Sequence, residues 1–143
     1  MGELKRFLKE NKVTKKNEKY APTKSLLYDD GTPLKWEFKH ITSKVADDLR
    51  DECTMDVPVK GKPGMYRQKL NTSKYISKLI VASTVVPDLY NTELQNSYGV
   101  KSPEALLYAM VDDPGEYAEL SVWIQSFQGF TETLDEKVDK AKN

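Results

Sequence analysis

Histidine and cysteine are almost missing from this chain of 143 residues, which contains one of each. The lone Cys53 cannot form an internal disulfide, and His40 has no second histidine, nearby cysteine or serine motif to work with. Nucleophilic catalysis requires an activated nucleophile and a base, whereas metal sites require clustered ligands. The sequence therefore predicts a protein that is not an enzyme, with no catalytic residues, no cofactor and no metal.

Long apolar runs are also lacking. The one uncharged apolar stretch, Leu79 to Val86, is far shorter than the roughly 20 residues needed to cross a bilayer. The N-terminal region from Met1 to Lys24 is rich in lysine and does not look like a signal peptide. We therefore expect no membrane partner, and the single cysteine favours a cytoplasmic setting.

A net charge is absent overall, since 22 Lys and Arg balance 22 Asp and Glu. The two halves are nevertheless opposite: residues 1–74 carry a net +6 and residues 75–143 a net −6. One interpretation is head-to-tail association into a homo-oligomer, and the other is a solvated surface without further meaning.

The residues around the apolar stretch predict a central core helix from Thr72 to Val86. Tyr75, Ile76 and Leu79 fall at helical spacing, and the neighbouring valines widen the apolar stripe nearly all the way round. Such a helix needs neighbours on most sides, so it belongs in the core. Thr72 or Ser73 is the expected N-cap, and Pro87 the expected stop.

The chain before this helix alternates between polar segments and segments whose apolar residues have helix or strand spacing. The predictions are an amphipathic helix at 3–11, a flexible connector at 12–24, a β-hairpin at 25–42, a helix at 43–54, and a second hairpin or an exposed loop at 56–70. The lysines of the connector have no interleaved aromatics, which makes nucleic acid a poorly supported partner.

The chain after Pro87 carries repeated helix-start signals, at Thr92, at Ser102-Pro103 and at Asp113-Pro114. The predicted fold class is therefore α+β: an N-terminal helix and β-hairpins packed on a mainly helical C-terminal part. We expect a single domain over residues 1–130 and a flexible charged tail over residues 131–143.

Seven short segments, taken together and in order, resemble the XkdN-like phage tail assembly chaperone family. Each segment alone is unspecific, and the ordered set covers nearly the whole chain up to about Phe130. The segments are residues 7–11, 30–37, 49–54, 70–75, 82–89, 93–100 and 114–117, which include DGTPLKWE, LRDECT and ASTVVPDL.

The resemblance implies a non-catalytic protein of a phage or prophage-like element. Such a chaperone binds the long helical tape measure protein, keeps it soluble, assists tail tube assembly and leaves before the tail is finished. The implied partners are the tape measure protein and the tail tube protein, and the implied location is the host bacterial cytoplasm, not the mature virion. The residues after Pro87 that suit an apolar groove for a helix are Tyr98, Leu107, Tyr108, Tyr117, Trp123 and Phe127.

Two other functions stay open at this point. The basic N-terminal arm suits a small nucleic-acid-binding module, and the same family context suits a structural tail component. The resemblance also raises a longer form made by ribosomal slippage at Ala141-Lys142-Asn143, which only the gene sequence tests.

Overall fold

The computed structural model of the protein describes residues 2–130, and the predicted tail and slippage site lie outside them. The predicted α+β fold class is confirmed. The strands are β1 (Glu18–Tyr20), β2 (Trp36–Phe38), β3 (Thr54–Pro58), β4 (Tyr66–Leu70) and β5 (Thr84–Val86). The α-helices are α1 (Ser43–Cys53), α2 (Thr72–Ser83), α3 (Thr92–Ser97), α4 (Pro103–Met110) and α5 (Pro114–Phe127).

Helix α2 is the centre of the core, as its apolar stripe predicts. Seven of its twelve residues are buried, and Tyr75, Leu79 and Ile80 are completely inaccessible to solvent. Helices α1, α4 and α5 all pack against it. The predicted role of Cys53 as a small buried residue is also confirmed, because its side chain is 2% exposed at the end of α1.

The predicted extent of this helix was wrong at both ends. Asn71 is the N-cap, and its side-chain oxygen accepts a hydrogen bond from the Lys74 amide at 3.2 Å. The helix stops at Ser83 because the β-branched residues Thr84–Val86 form β5 instead, paired with β2. An uncharged run of this length suits either a buried helix or a strand, and the available partner strand decides.

A three-stranded antiparallel sheet replaces the first predicted hairpin. Strand β2 pairs with β1 on one side and β5 on the other, so β1 falls within the segment predicted to be a flexible connector. Only an isolated bridge between Leu27 and Pro33 remains of the expected hairpin. The alternation of Trp36 and Phe38 did predict β2 correctly, and both side chains are buried.

The predicted N-terminal amphipathic helix was also wrong. Glu3–Phe7 and Lys9–Asn11 form two short 3-10 helices that bury no residue. A helix of this length is marginal in water unless its apolar side packs against something. Within the described residues that packing partner is missing.

The segment between α1 and α2 forms a β-hairpin, which decides between the two predicted alternatives. Strands β3 and β4 pair over five residues, and the connecting turn carries Gly61 and Gly64 at positive φ. No residue of either strand is fully buried. The hairpin therefore projects from the body.

The helix-start signals of the C-terminal part act as predicted. Ser102 caps α4 through the Ala105 amide, and Asp113 caps α5 through the amides of Gly115 and Glu116. A proline follows each cap at the first helical position, where its missing N–H costs nothing. Helix α3 begins at Thr92, one residue earlier than predicted, because Asn91 and not Thr92 is the cap.

Candidate partner-binding surface

Helix α5 buries one side and presents another to solvent. Leu120 and Ile124 are completely buried against the core, whereas Ala118 is exposed and Val122 is 55% exposed. Ala118 and Val122 are four residues apart and so form a short ridge of small apolar side chains on one side of the helix. We call this ridge, together with the aromatic side chains that flank it, the α5 face. The flanking side chains are Tyr20, Tyr108, Tyr117, Trp123 and Phe127.

On one side, the ridge borders a stacked pair of tyrosines. The rings of Tyr108, from α4, and Tyr117 lie 4.9 Å apart and nearly parallel. With Thr72, Ser73 and Ile76 of α2 they line a groove of about 270 Å³ that also reaches Ala118 and Val122. The groove thus lies between three helices and combines aromatic, aliphatic and hydroxyl groups.

On the other side, the ridge borders a ladder of aromatic rings. Trp123 stacks on Tyr20 at 4.5 Å and on Phe127 at 5.0 Å, and its ring lies 5.1 Å from the buried Phe38. The ladder continues to His40, whose ring lies 4.0 Å from that of Phe127. Tyr20 and Trp123 also line a second, open and mainly apolar groove that shares Ala118 and Val122 with the first.

The carboxylate of Glu116 holds the chain just after β1 against α5. The Thr23 hydroxyl donates to Glu116 Oε1 at 2.8 Å, and the Lys24 amide donates to Oε2 at 2.8 Å. Thr23 is only 2% exposed, so its hydroxyl is shielded from water. Hydrogen bonds to a charged group are stronger than neutral ones, so Glu116 fixes the chain that carries Tyr20.

Burial shapes the electrostatics of the tyrosines. Burial and the neighbouring Tyr108 raise the pKa of Tyr117 well above its ordinary value. The pKa of Tyr20 is raised by burial and by the carboxylates of Glu119 and Glu116. Both tyrosines therefore stay neutral across the physiological range, and the α5 face presents uncharged aromatic groups.

The structure brings together four of the six predicted partner-binding residues. Tyr108 and Tyr117 form one border of the α5 face, and Trp123 and Phe127 belong to the other. Tyr98 follows α3 and lines neither groove. Leu107 is completely buried in the core, so its side chain is not available to a partner in this conformation.

Sequence reasoning missed Tyr20, Ala118 and Val122. Tyr20 sits in a lysine-rich segment that lacks periodicity, and its approach to α5 depends on pairing with a strand sixteen residues later. The helical spacing in the sequence does indicate Ala118 and Val122. Both fall on the side of α5 opposite the stripe of Leu120 and Ile124.

Other chemistry finds little support in the described part of the chain. Residues 2–130 contain no group of three or more His, Cys, Asp and Glu side chains that could hold a metal ion, and none of their helices is long and apolar enough to cross a membrane. The pKa of the Cys53 thiol is raised, mainly by burial, which opposes formation of a reactive thiolate. His40 is half-buried against Phe127, whereas the sequence predicted a surface residue at the end of a strand.

Comparison with known proteins finds one family and two bacterial relatives. The family described as phage XkdN-like tail assembly chaperone protein matches residues 4–142. The uncharacterized protein YqbN of Bacillus subtilis strain 168 is 26% identical over 121 residues, which cover 85% of this chain and 80% of YqbN. The phage-like element PBSX protein XkdN of the same strain is 26% identical over 113 residues, 79% of this chain and 75% of XkdN.

A crystal structure of YqbN has the same fold. It superimposes with a TM-score of 0.74 and covers 91% of this chain and 98% of the YqbN chain, at 21% sequence identity. The resemblance predicted from the seven ordered segments is thus confirmed, and the family match extends it beyond Phe130.

Proposed function

Because the chain belongs to the phage XkdN-like tail assembly chaperone family, we propose that it binds an amphipathic helix of the tape measure protein on its α5 face. The observation that carries the choice of surface is the exposed Ala118–Val122 ridge between two sets of stacked aromatic rings. Small side chains let a second helix approach closely, and aromatic rings on both sides add contact area at little entropic cost.

The polarity of the α5 face suits a reversible complex. Its grooves mix apolar side chains with the hydroxyls of Thr72, Ser73 and Ser121. A chaperone that leaves when tube subunits arrive requires moderate affinity, and buried area alone does not guarantee tight binding. On this proposal the chain keeps the tape measure helix soluble, and tube subunits then displace it.

Coexpression provides the test. The tape measure protein is produced alone, with the parent chain, with Val122→Glu, or with Tyr90→Glu, and its soluble fraction is measured. Tyr90 is 68% exposed and lies outside the α5 face, which makes it a matched control for an added carboxylate.

We expect the parent chain and Tyr90→Glu to raise the soluble fraction equally, and Val122→Glu to lose most of that gain. A charge placed in an apolar contact must be desolvated without a partner, which weakens binding. No gain from the parent chain would overturn the proposed partner. An equal gain from Val122→Glu would overturn the proposed surface.

We propose further that the chain acts without catalysis, in the host cytoplasm, and is absent from finished particles. The same family context would fit a structural tail component retained in the virion. Mass spectrometry of purified tails separates the two. Stoichiometric amounts of this chain in finished tails would contradict the chaperone assignment, and absence would support it.

A further inference from the structure

A basic groove runs along the start of helix α1. It consists of two adjoining parts, of about 500 Å³ and about 440 Å³, which share Lys15, Ile41, Thr42 and Ser43. We call this continuous surface the α1 groove. The charged side chains that line it give a net +3 and are Lys9, Lys12, Lys15, Arg50 and Asp47. Among residues 2–130 none of the four basic side chains has an ion-pair partner, so their charge is not neutralised.

One part of this groove contains a buried polar atom without a partner. Tyr75 lines the groove and is completely buried, and its hydroxyl makes no hydrogen bond within the described part of the chain. Leaving a buried hydroxyl unpaired costs free energy. The guanidinium of Arg50 lies 6.0 Å from the centre of the Tyr75 ring, and Thr42 and Ser43 place the N-terminal end of α1 beside it. Since a helix N-terminus also favours negative charge, these groups together suit a carboxylate.

The chain leaves its described part at this same place. Gln128, Gly129 and Phe130 line the groove next to Arg50 and Tyr75. The Phe130 amide donates to the Gln125 carbonyl at 3.0 Å, which fixes the end of the described chain on α5. Residue 131 therefore begins beside the α1 groove.

The charge of the next six residues is opposite to that of the groove. Residues 131–136 have the sequence TETLDE, with three carboxylates and no basic side chain, a net −3. Residues 137–143 carry a net +2, so charge selects the first part of the segment and not the second. Six extended residues span roughly 20 Å. Lys15 and Phe130 line the same part of the groove, so this reach is sufficient.

The apolar side chains match as well. Leu134 is the one large apolar residue of the acidic segment. On the groove, the side chain of Val13 is 87% exposed and Ile41 is half-buried. A leucine placed on them removes apolar surface from water on both sides.

We propose that residues 131–136 of the same chain occupy the α1 groove. Glu132 lies next to Arg50, and Leu134 covers Val13. The two carboxylates that follow face the lysines of the N-terminal arm. Because the segment is tethered at the wall of the groove, contacts that are weak one by one are sufficient to hold it. The contact involves neither the α5 face nor the tape measure protein, so it is independent of the proposed function.

This contact closes the basic N-terminal arm onto the body. The lysines between Lys9 and Lys15 form one wall of the groove. Carboxylates that face these lysines occupy the positions at which the phosphates of a nucleic acid would otherwise bind. The chain thereby carries an intramolecular competitor that suppresses non-specific binding of polyanions to its arm.

Disulfide trapping in the full chain tests the contact. Val13→Cys with Leu134→Cys places one thiol on each side of it, and Tyr90→Cys with Leu134→Cys is the matched control. Val13 and Tyr90 are 87% and 68% exposed, and Tyr90 lines neither part of the α1 groove. The native Cys53 is 2% exposed and stays in both variants. Equilibration with glutathione gives the effective concentration of the two thiols, and mass spectrometry identifies the disulfide within one chain.

We expect the effective concentration to be at least about tenfold higher for the pair across the groove than for the control pair. It should fall as salt rises from about 0.1 M to about 1 M, because the Debye length falls from about 10 Å to about 3 Å.

An exchange of charges across the contact gives the second measurement. Lys12→Glu with Lys15→Glu reverses the groove, and Asp135→Lys with Glu136→Lys reverses the segment. Each reversal is expected to lower the effective concentration of the pair across the groove towards that of the control pair. The four substitutions combined are expected to restore it, because opposite charges then face each other again. Both lysines are exposed, so their substitution leaves the core intact.

Equal effective concentrations for the two cysteine pairs would overturn the proposal. So would charge reversals that leave the difference unchanged, a combined variant that restores nothing, or a disulfide that forms only between two chains. Since no tape measure protein is present, failure here leaves the proposed function untouched. Failure of the coexpression test likewise leaves this contact intact.

Discussion

Helix α2 and the β3–β4 hairpin are neighbours in the chain, yet they differ in what holds them. Leu70 ends the hairpin and Thr72 begins the helix. The helix buries seven residues among α1, α4 and α5, whereas the hairpin has no fully buried residue and exposes Met55, Met65 and Tyr66. The stability of the fold is therefore concentrated in the helical layer, and the hairpin contributes little buried surface to it.

The hairpin depends on its own backbone. Its ladder runs from Thr54–Leu70 to Pro58–Tyr66, and the Val59 amide donates to the Met65 carbonyl at 2.9 Å to close the turn. An isolated two-stranded hairpin is marginally stable in water. We therefore expect it to open locally at much lower free energy than the helical layer unfolds.

The largest expected effect is a cavity in the helical layer. Leu79→Ala removes a completely buried side chain and should lower the free energy of unfolding by roughly 2–5 kcal/mol. Denaturant unfolding followed by circular dichroism measures the change. A loss below about 1 kcal/mol would show that α2 is not the centre of the core.

A smaller effect is expected at the polar contact that ties the sheet to the helices. Gln128 accepts from the Ile41 amide at 3.0 Å and donates to the Ser83 hydroxyl at 2.8 Å and to the Lys39 carbonyl at 3.0 Å. Gln128→Ala leaves these groups without that partner and should cost about 1–3 kcal/mol in the same unfolding experiment. Gln128→Glu is the matched variant: it keeps the acceptor for Ile41 and loses the donor.

An unchanged midpoint for Gln128→Ala would mean that water replaces the glutamine at no cost. The contact would then contribute nothing to the free energy that holds the sheet against the helices.

The pH dependence of stability tests how well the helical layer shields Tyr117, at the border of the α5 face. The pKa of Tyr117 is raised in the folded chain from an ordinary value of 10.0, so the folded state retains this proton more tightly than the unfolded state. Its contribution to stability is complete below about pH 10 and falls as the pH rises above it. Tyr117→Phe removes that contribution and should make alkaline unfolding less steep.

Thermal melts between pH 8 and about pH 11 check this expectation, with Tyr66→Phe as the control at an exposed tyrosine. The melting temperature of Tyr117→Phe should fall less above pH 10 than that of the parent chain. Identical alkaline slopes for the two would show that the Tyr117 hydroxyl is not shielded from water.

The smallest effect is expected in the hairpin. Tyr66→Ala removes a side chain that is 64% exposed. The free energy of unfolding should change by no more than about 0.5 kcal/mol. A loss comparable to that of Leu79→Ala would contradict the division of the molecule into a stabilising layer and a projecting hairpin.

Local signals in the sequence predicted the helices better than the sheet. The caps at Ser102 and Asp113 act within one turn, so the pattern of four residues is sufficient to locate them. Strand β1 depends on its pairing with β2, sixteen residues away from Tyr20, and nothing in Glu18–Tyr20 itself marks a strand. Thr84–Val86 carry the β-branched signal of a strand, but the uncharged apolar run that contains them also predicts a longer α2.

The sequence indicated which aromatic side chains lie near α5, but not how they are arranged, and their binding of a partner stays a prediction. An excess of aromatics after Pro87 pointed to Tyr108, Tyr117, Trp123 and Phe127, which do flank α5. The same criterion included Leu107, which is completely buried. A leucine in the core and a leucine on the surface cannot be told apart in the sequence until their packing partners are known. Tyr20 could not be found this way, since only the sheet places it against Trp123.

Photocross-linking from the α5 face tests the proposed partner surface most directly. A photoreactive amino acid replaces Val122 in one variant and Tyr90 in another, and each is irradiated in complex with the tape measure protein. The account predicts efficient cross-links from position 122 to an amphipathic helical segment of the tape measure protein, and none above background from position 90. A complex that forms but cross-links only from position 90, or equally from both positions, would contradict it.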